Sequence, residues 1–265
     1  MSFRALLFDS GVGGLSVAAE MRLRLPDLAM DYVADDEFRP YGEKSAEQLI
    51  ERLPGLLTVL THMLRPDVVV IACNTASTTA LDDIRAALNV PVVGVVPAIK
   101  PAALQTRTGT LAVLGTPGTV ARKYVDGLIR DFADGKTVLL QGSVILVDMA
   151  EDKLAGRPVD PVRVKAELAP LFSGRCGANI DAVVLACTHF PLLKDELKAA
   201  VTQTVKWIDS GEAIARRLDD VLSDIAQRVL PAHEQMAFLI GPKTDPIRAK
   251  AFADYGFMRV IGLLK

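Results

Sequence analysis

The sequence predicts an α/β fold with mainly parallel sheets, arranged as two related halves. Three observations carry that expectation. Short β-branched apolar runs alternate with longer helical patterns along the whole chain, the order that builds parallel sheets covered by helices. The runs are continuously apolar rather than alternating, as strands buried on both faces are. The chain also repeats itself: DVVVIACNT at 67–75 returns as DAVVLACTH at 181–189, so that Cys187 matches Cys73 114 positions on. A weaker echo joins ALLFDSGVGG (5–14) to LAVLGTPGTV (111–120). Two units of about 100 residues each, a common domain size, explain both echoes.

The elements follow in order. RALLF (4–8) is the first strand and runs into the Gly-rich turn Asp9 to Gly14 and a helix near 15–25. Pro26 stops that helix ahead of the strand MDYVA (30–34). A long helical pattern at 44–65 contains Pro54, which is expected to kink or split it, and Pro66 follows its end. DVVVIA (67–72) is a strand, then come a helix at 77–88, the strand PVVGV (91–95) and a helix at 97–105. TLAVL (110–114) opens the second half, with a helix at 119–133, the strand KTVLL (136–140) and a helix at 146–155. Asp160 before Pro161 reads as an N-cap with proline in the first helical position, starting a helix over 160–173. DAVVLA (181–186), a helix at 191–203 and VKWI (205–208) complete this half. Beyond it, a helix at 210–229, the strand MAFLI (236–240), a helix at 245–254 and the strand FMRVI (257–261) return to the α/β pattern and must pack on one half.

Composition narrows the function. Half of the 265 residues are hydrophobic, enough for a large core and too many for a disordered chain. Thirty Lys and Arg against 32 Asp and Glu leave a net charge of −2, so no basic excess invites nucleic acid. Three cysteines are no disulfide framework, and a reducing, cytoplasmic compartment is the natural reading. The amino-terminal stretch lacks the long apolar region of a secretory signal. The longest apolar runs are of strand length, far short of the about 20 residues that span a bilayer.

Cys73 and Cys187 each end an apolar strand and open a polar turn. In open α/β sheets, ligands bind at the carboxyl ends of strands. Two buried cysteines at strand ends are the bland alternative, since free cysteine is among the most buried residues. The duplication, and the polar Asn74-Thr75 and Thr188-His189 that follow, favour chemistry. A redox pair would use C-x-x-C, which is absent. A metal site wants three or four ligands at tight spacing, and only Cys73, Cys187 and His189 are available, so no metal is expected. The third option is paired acid and base: inverting a stereocentre takes a proton from one face and returns one to the other. A thiol titrates near ~8.5 and needs a helix N-terminus or an imidazole to work as a base. His189, two residues after Cys187, is placed to assist. His62, His233 and the loop residue Cys176 read as surface or structural. The turn after the first strand, with its G-x-G-G, is not a full dinucleotide fingerprint and lacks the lysine of a P-loop. Its backbone N–H groups suit an anion, and Asp9 suits an ammonium or the orienting of a catalytic group.

Together these residues identify a family resemblance. The segments DSGVGGLS (9–16), PYGEKS (40–45), ACNTAS (72–77), GVVPAIKPA (94–102), LGTPGTV (114–120), LACTHFPLL (185–193) and IDSGEAIARR (208–217) resemble glutamate racemase, of the aspartate/glutamate racemase superfamily. The resemblance implies two pseudosymmetric α/β domains, about 1–97 plus 207–265 and about 98–206, with the active site in the cleft between them. It implies cofactor-independent interconversion of L- and D-glutamate, supplying D-glutamate for peptidoglycan. By the same resemblance, Cys73 is the base acting on the D-isomer and Cys187 the base acting on the L-isomer. Asp9 and His189 match auxiliary residues near the two thiols, and Glu151, in VDMAEDKL (147–154), aligns with a further assisting acid. Asp9, Ser10, Tyr41, Gly42, Asn74, Thr75, Thr188 and His189 match substrate-contacting positions. Members of the family are often homodimers. The rival readings are another racemase of the superfamily, acting on aspartate or a hydantoin, and a two-lobed binding protein for a small anion.

Overall fold

The computed structural model describes residues 3–226, 234–241 and 246–263. His233 and the far end of the helix expected at 210–229 lie outside the described residues. The chain divides into two compact units, Met1–Val95 with Gly211–Lys265, and Val96–Ser210.

The first unit holds β1 (Arg4–Asp9), α1 (Leu15–Arg24), β2 (Ala29–Ala34), a 3-10 turn (Tyr41–Glu43), α2 (Ala46–Leu64), β3 (Val68–Ile71), α3 (Asn74–Ala87) and β4 (Val92–Gly94). The second holds α4 (Ile99–Gln105), β5 (Thr110–Gly115), α5 (Pro117–Val120), α6 (Lys123–Phe132), β6 (Thr137–Gly142), α7 (Ile145–Leu154), α8 (Pro161–Phe172), β7 (Ala182–Ala186), α9 (Lys194–Ala200) and β8 (Lys206–Ile208). Two 3-10 turns, Gly177–Asn179 and Phe190–Leu193, flank β7. The chain then completes the first unit with α10 (Gly211–Ser223), β9 (Met236–Leu239), α11 (Pro246–Asp254) and β10 (Arg259–Gly262).

Every strand pairing in both sheets is parallel. The first sheet has the order β10-β9-β2-β1-β3-β4 and the second β6-β5-β7-β8. The four strands β2-β1-β3-β4 therefore repeat as β6-β5-β7-β8. The register repeats too: Ala5 pairs with Val68 in the first sheet, and their counterparts Leu111 and Ala182 pair in the second. The repeated aspartates do the same task in each sheet. Asp67 Oδ2 accepts from the Arg4 N–H at the start of β1 (2.8 Å). Asp181 accepts from Thr106 Oγ1 (2.5 Å) and the N–H groups of Arg107 and Thr108 (2.7 and 3.2 Å), just ahead of β5.

Burial on both faces explains the unbroken apolar runs. In the second sheet, Ala112, Leu114, Val183 and Leu185 join Cys187 in a core shared with α7 and α8. Leu111, Val113, Ala182, Val184 and Ala186 point into the opposite core with α4 and α6. In the first sheet, Leu6, Phe8, Val69 and Ile71 join Cys73 in a core under α2 and α3. Each cysteine thus lies on the same face of its own sheet.

Local signals set the helix ends. Asp160 accepts from Val162 N–H (2.9 Å) with Pro161 opening α8, as expected. Three expectations are corrected. Pro54 does not split its helix: α2 runs unbroken, started by a Ser45–Gln48 capping box. Pro54 falls in the third turn, where its carbonyl accepts from Thr58 Oγ1 (2.8 Å). The helix expected at 119–133 is two helices meeting at Ala121 and Arg122, because Thr116 caps a first short helix with Pro117 in its first turn. The helix expected at 77–88 begins at Asn74, directly after Cys73. Asn, Thr and Ser compete poorly in a helix interior but suit its first turn, which hid the true start.

Candidate active site

Each unit carries a thiol at the carboxyl end of its sheet, and each thiol has its own retinue. In the first unit, β1 ends at Asp9, β2 leads to Asp35 and β3 leads to Cys73. Parallel pairing of these neighbours brings their ends together. Cys73 is buried and is the N-cap residue of α3, so its sulfur sits at the positive end of that helix's dipole. Ser10 Oγ lies 3.6 Å from Cys73 Sγ. Asp9, fully buried, holds the loop that carries Ser10: its Oδ1 accepts from Ser10 N–H (2.8 Å) and its Oδ2 from the Gly14 N–H and the Tyr32 hydroxyl (3.5 Å). The Tyr32 hydroxyl also donates to Gly11 O (2.8 Å). A Cβ at residue 14 would lie 2.7 Å from the Tyr32 hydroxyl, so the close approach of turn and strand requires glycine there. Asp9 thus holds the turn that carries Ser10.

Asn74 and Thr75 form the first turn of α3 and are buried. The Asn74 Oδ1 has no hydrogen-bond partner among the described residues. A buried acceptor of that kind is costly unless a ligand or water uses it. Tyr41, at the 3-10 turn with Gly42, is buried in the same cluster as Cys73. Its hydroxyl donates to Asp35 Oδ2 (2.6 Å), and Arg52 of α2 grips Asp35 with Nε to Oδ2 and Nη2 to Oδ1, both 2.7 Å. Burial, reinforced by the charge of Asp35 and the hydrogen bond to it, holds the Tyr41 phenol well above its usual pKa. The sequence reading missed Asp35 and Arg52. The position of Asp35 just past β2, one residue beyond the partner of Asp9 at the end of β1, was a signal for the first; nothing in α2 marks the second.

In the second unit, Cys187 follows β7 and is buried. His189, buried two residues on, points Nδ1 at Cys187 Sγ (3.8 Å) and Nε2 at Glu151 Oε1 of α7 (3.1 Å). The structure therefore brings Cys187, His189 and Glu151 into one relay. Burial alone would lower the pKa of His189, but its hydrogen bonds to Cys187 and Glu151 and their charges outweigh it and raise the pKa to about 10. Lys153, two residues after Glu151 on α7, ties that helix to the turn after His189 through Leu192 O and to α9 through Glu196 Oε2, both 2.8 Å. Thr188, between the thiol and the imidazole, is buried.

The two retinues differ where the repeat breaks. Asp9 at the end of β1 corresponds to Gly115 at the end of β5, so the second unit lacks the carboxylate there and draws its ionisable partners from His189 and Glu151. Cys176 is half-buried beside a 3-10 turn and has no counterpart in the repeat; His62 is exposed on α2. Among the described residues, no group of three or more His, Cys, Asp and Glu side chains could hold a metal ion, and no helix is long and apolar enough to cross a membrane.

Known proteins share this fold. The Asp/Glu/Hydantoin racemase family model matches residues 17–218. Glutamate racemase of Sphingopyxis alaskensis is 48% identical over 251 residues, 95% of this chain and 94% of the relative. That of Vibrio cholerae is 50% identical over 219 residues, 83% of this chain and 80% of the relative. The crystal structure of Escherichia coli glutamate racemase, in complex with L-glutamate and the activator UDP-MurNAc-Ala, superposes with a TM-score of 0.92 at 40% identity, covering 99% of this chain and 98% of that one. With its paired thiols on duplicated parallel sheets, this chain belongs to the Asp/Glu/Hydantoin racemase family.

Proposed function

We propose that this chain interconverts L- and D-glutamate without a cofactor, with Cys73 and Cys187 as paired acid and base. The observation that carries the reading is the duplicated thiol: each sits on the same face of its sheet, at the strand end, with polar side chains already aimed at it. The high identity to glutamate racemases over most of the chain supports glutamate as the substrate. The mechanism asks the two thiols to meet opposite faces of one α-carbon. With D-glutamate, the Cys73 thiolate removes the α-proton and the Cys187 thiol returns one to the other face. With L-glutamate the roles exchange. The α-proton of an amino acid is very weakly acidic, so the developing carbanion needs preorganised donors around the α-carboxylate. Ser10, Thr75 and Thr188, with backbone amides at the strand ends, fill that role. His189, held by Glu151, assists the Cys187 side, and Ser10, held by Asp9, assists the Cys73 side. Tyr41 and Gly42 complete the substrate's surroundings with Asn74. The reading includes D-glutamate supply for peptidoglycan, a cytoplasmic location in which both thiols stay reduced, and a homodimer, which light scattering in solution would test.

The test is incubation of the purified protein with each enantiomer in deuterated water, without pyridoxal phosphate, following circular dichroism and α-proton loss. Racemisation of glutamate is expected. Cys73→Ala and Cys187→Ala should each slow it by about 10²- to 10⁴-fold, the usual share of general acid–base catalysis. Full activity in either single variant would falsify the two-base assignment. Faster turnover of aspartate than of glutamate would keep the family and reject the substrate.

A further inference from the structure

The Asp35–Arg52 pair is more elaborate than packing a tyrosine requires. Asp35 is fully buried and takes three hydrogen bonds, one from the Tyr41 hydroxyl and two from the Arg52 fork. A buried ion pair is a poor source of stability compared with apolar residues of the same volume, so its use here points to geometry. Arg52 is itself fixed from a second side: its guanidinium stacks 4.7 Å from the centre of the Phe38 ring, which meets the Tyr41 ring edge-on at 6.1 Å. The capping box at Ser45 and Gln48 anchors the helix that carries it. The consequence falls on the phenol. Its one proton is committed to Asp35 Oδ2 at 2.6 Å, so the oxygen keeps only lone pairs for anything else. Tyr41 and Cys73 share one buried cluster, and the 3-10 turn of Tyr41 packs on α3, which Cys73 caps.

We propose that Asp35 and Arg52 are positioning residues for the reaction, holding the Tyr41 hydroxyl as an acceptor-only group on the Cys73 side of the site. The inference rests on the two-base reading above. A phenol so held accepts from a donor on the substrate, such as its ammonium group, and has no proton to offer the thiolate. The raised pKa of Tyr41, to which the charge of Cys73 contributes, is consistent with that proximity. Arg52 touches no reacting atom in this scheme; it acts through Asp35 and Tyr41.

The experiment is a double-mutant cycle on turnover, with both enantiomers as substrates and folding monitored by thermal melting. Tyr41→Phe, Arg52→Gln, Arg52→Lys and the double variant Tyr41→Phe/Arg52→Gln are compared with the parent chain. Arg52→Gln should lower kcat by about 10- to 100-fold, the scale of a displaced catalytic group, with a smaller change in KM. Arg52→Lys keeps the charge but not the fork, and should recover only part of the loss. It also serves if Arg52→Gln fails to fold. In the Tyr41→Phe background, Arg52→Gln should change kcat little, because residues acting through one another are not additive. The primary isotope effect with α-deuterated D-glutamate should rise more in the Arg52 variants than that with the L-isomer. Equal losses in both backgrounds, or folded Arg52 variants with unchanged kcat and isotope effects, would overturn the proposal. If the parent chain fails to racemise glutamate, or needs neither cysteine, the failure belongs to the two-base reading instead.

Discussion

His189 is the residue whose chemistry the surroundings change most. An imidazole that titrates near ~6.5 in water is raised to about 10 here, burial notwithstanding, by Cys187 and Glu151. The sign of its effect on stability follows from linkage: a pKa raised on folding contributes stability that is full below the unfolded value and is lost as pH rises through the folded one. The chain should therefore lose stability between about pH 6.5 and pH 10. Thermal melting across that range should show the loss, and His189→Asn should flatten it. Glu151→Gln removes one of the charges that raise the ring's pKa. The alkaline limb of the kcat profile should then move to lower pH in this variant, while an unmoved limb would detach Glu151 from the relay. Cys73 has the Ser10 hydroxyl 3.6 Å away and shares a buried cluster with Tyr41. The two thiols are duplicated in position and not in environment.

Elements decide whether those side chains meet. Glu151 reaches His189 because α7 lies against the turn Phe190–Leu193, and Lys153 links the two by bonds to Leu192 O and Glu196. The start of α7 is held as well: Ser143 Oγ accepts from Leu146 N–H (3.0 Å) and donates to Glu167 Oε2 of α8 (2.6 Å). The Lys153–Glu196 pair is partly exposed, and such pairs contribute only about 0–1 kcal/mol. Lys153→Met should therefore leave the melting temperature nearly unchanged but lower kcat several-fold, as Glu151 loses its fixed distance from His189. A drop in stability with unchanged kcat would assign Lys153 to packing instead. At this scale the sequence was legible for the strands, whose apolar runs are long, and for α8, whose Asp160-Pro161 start is unambiguous. It misled at α3 and α2. Asn74, Thr75 and Ser77 looked like a turn when they form the first turn of a helix, and Pro54 looked like a break in a helix whose buried leucines 49, 53, 57 and 60 carry it through. Burial of that stripe outweighs one missing backbone hydrogen bond.

For the whole molecule, the duplication accounts for most of the architecture. Strand order, register and even the tethering aspartates repeat from one sheet to the other. Asp181 shows how such a tether depends on pH. Burial would raise its pKa, but the hydrogen bonds from Thr106, Arg107 and Thr108 outweigh that and lower it. A depressed carboxylate pKa contributes stability present above its unfolded value and lost as pH falls through the folded one. Acid unfolding followed by circular dichroism should be shallower for Asp181→Asn, which should also cost about 1–3 kcal/mol near neutral pH by weakening the strand's anchoring. Equal acid sensitivity of variant and parent would remove Asp181 from that role. The alternation of strands and helices, the repeat, and the two thiols at strand ends were all written in the order of residues, because strand propensity, continuous apolar runs and internal similarity are local properties of a sequence. Glu151 next to His189, 38 positions away, and Asp35 gripped by Arg52 across 17 positions were decided only by tertiary packing. Neither spacing has a period that a sequence can reveal; which helix lies on which strand end sets which charges meet.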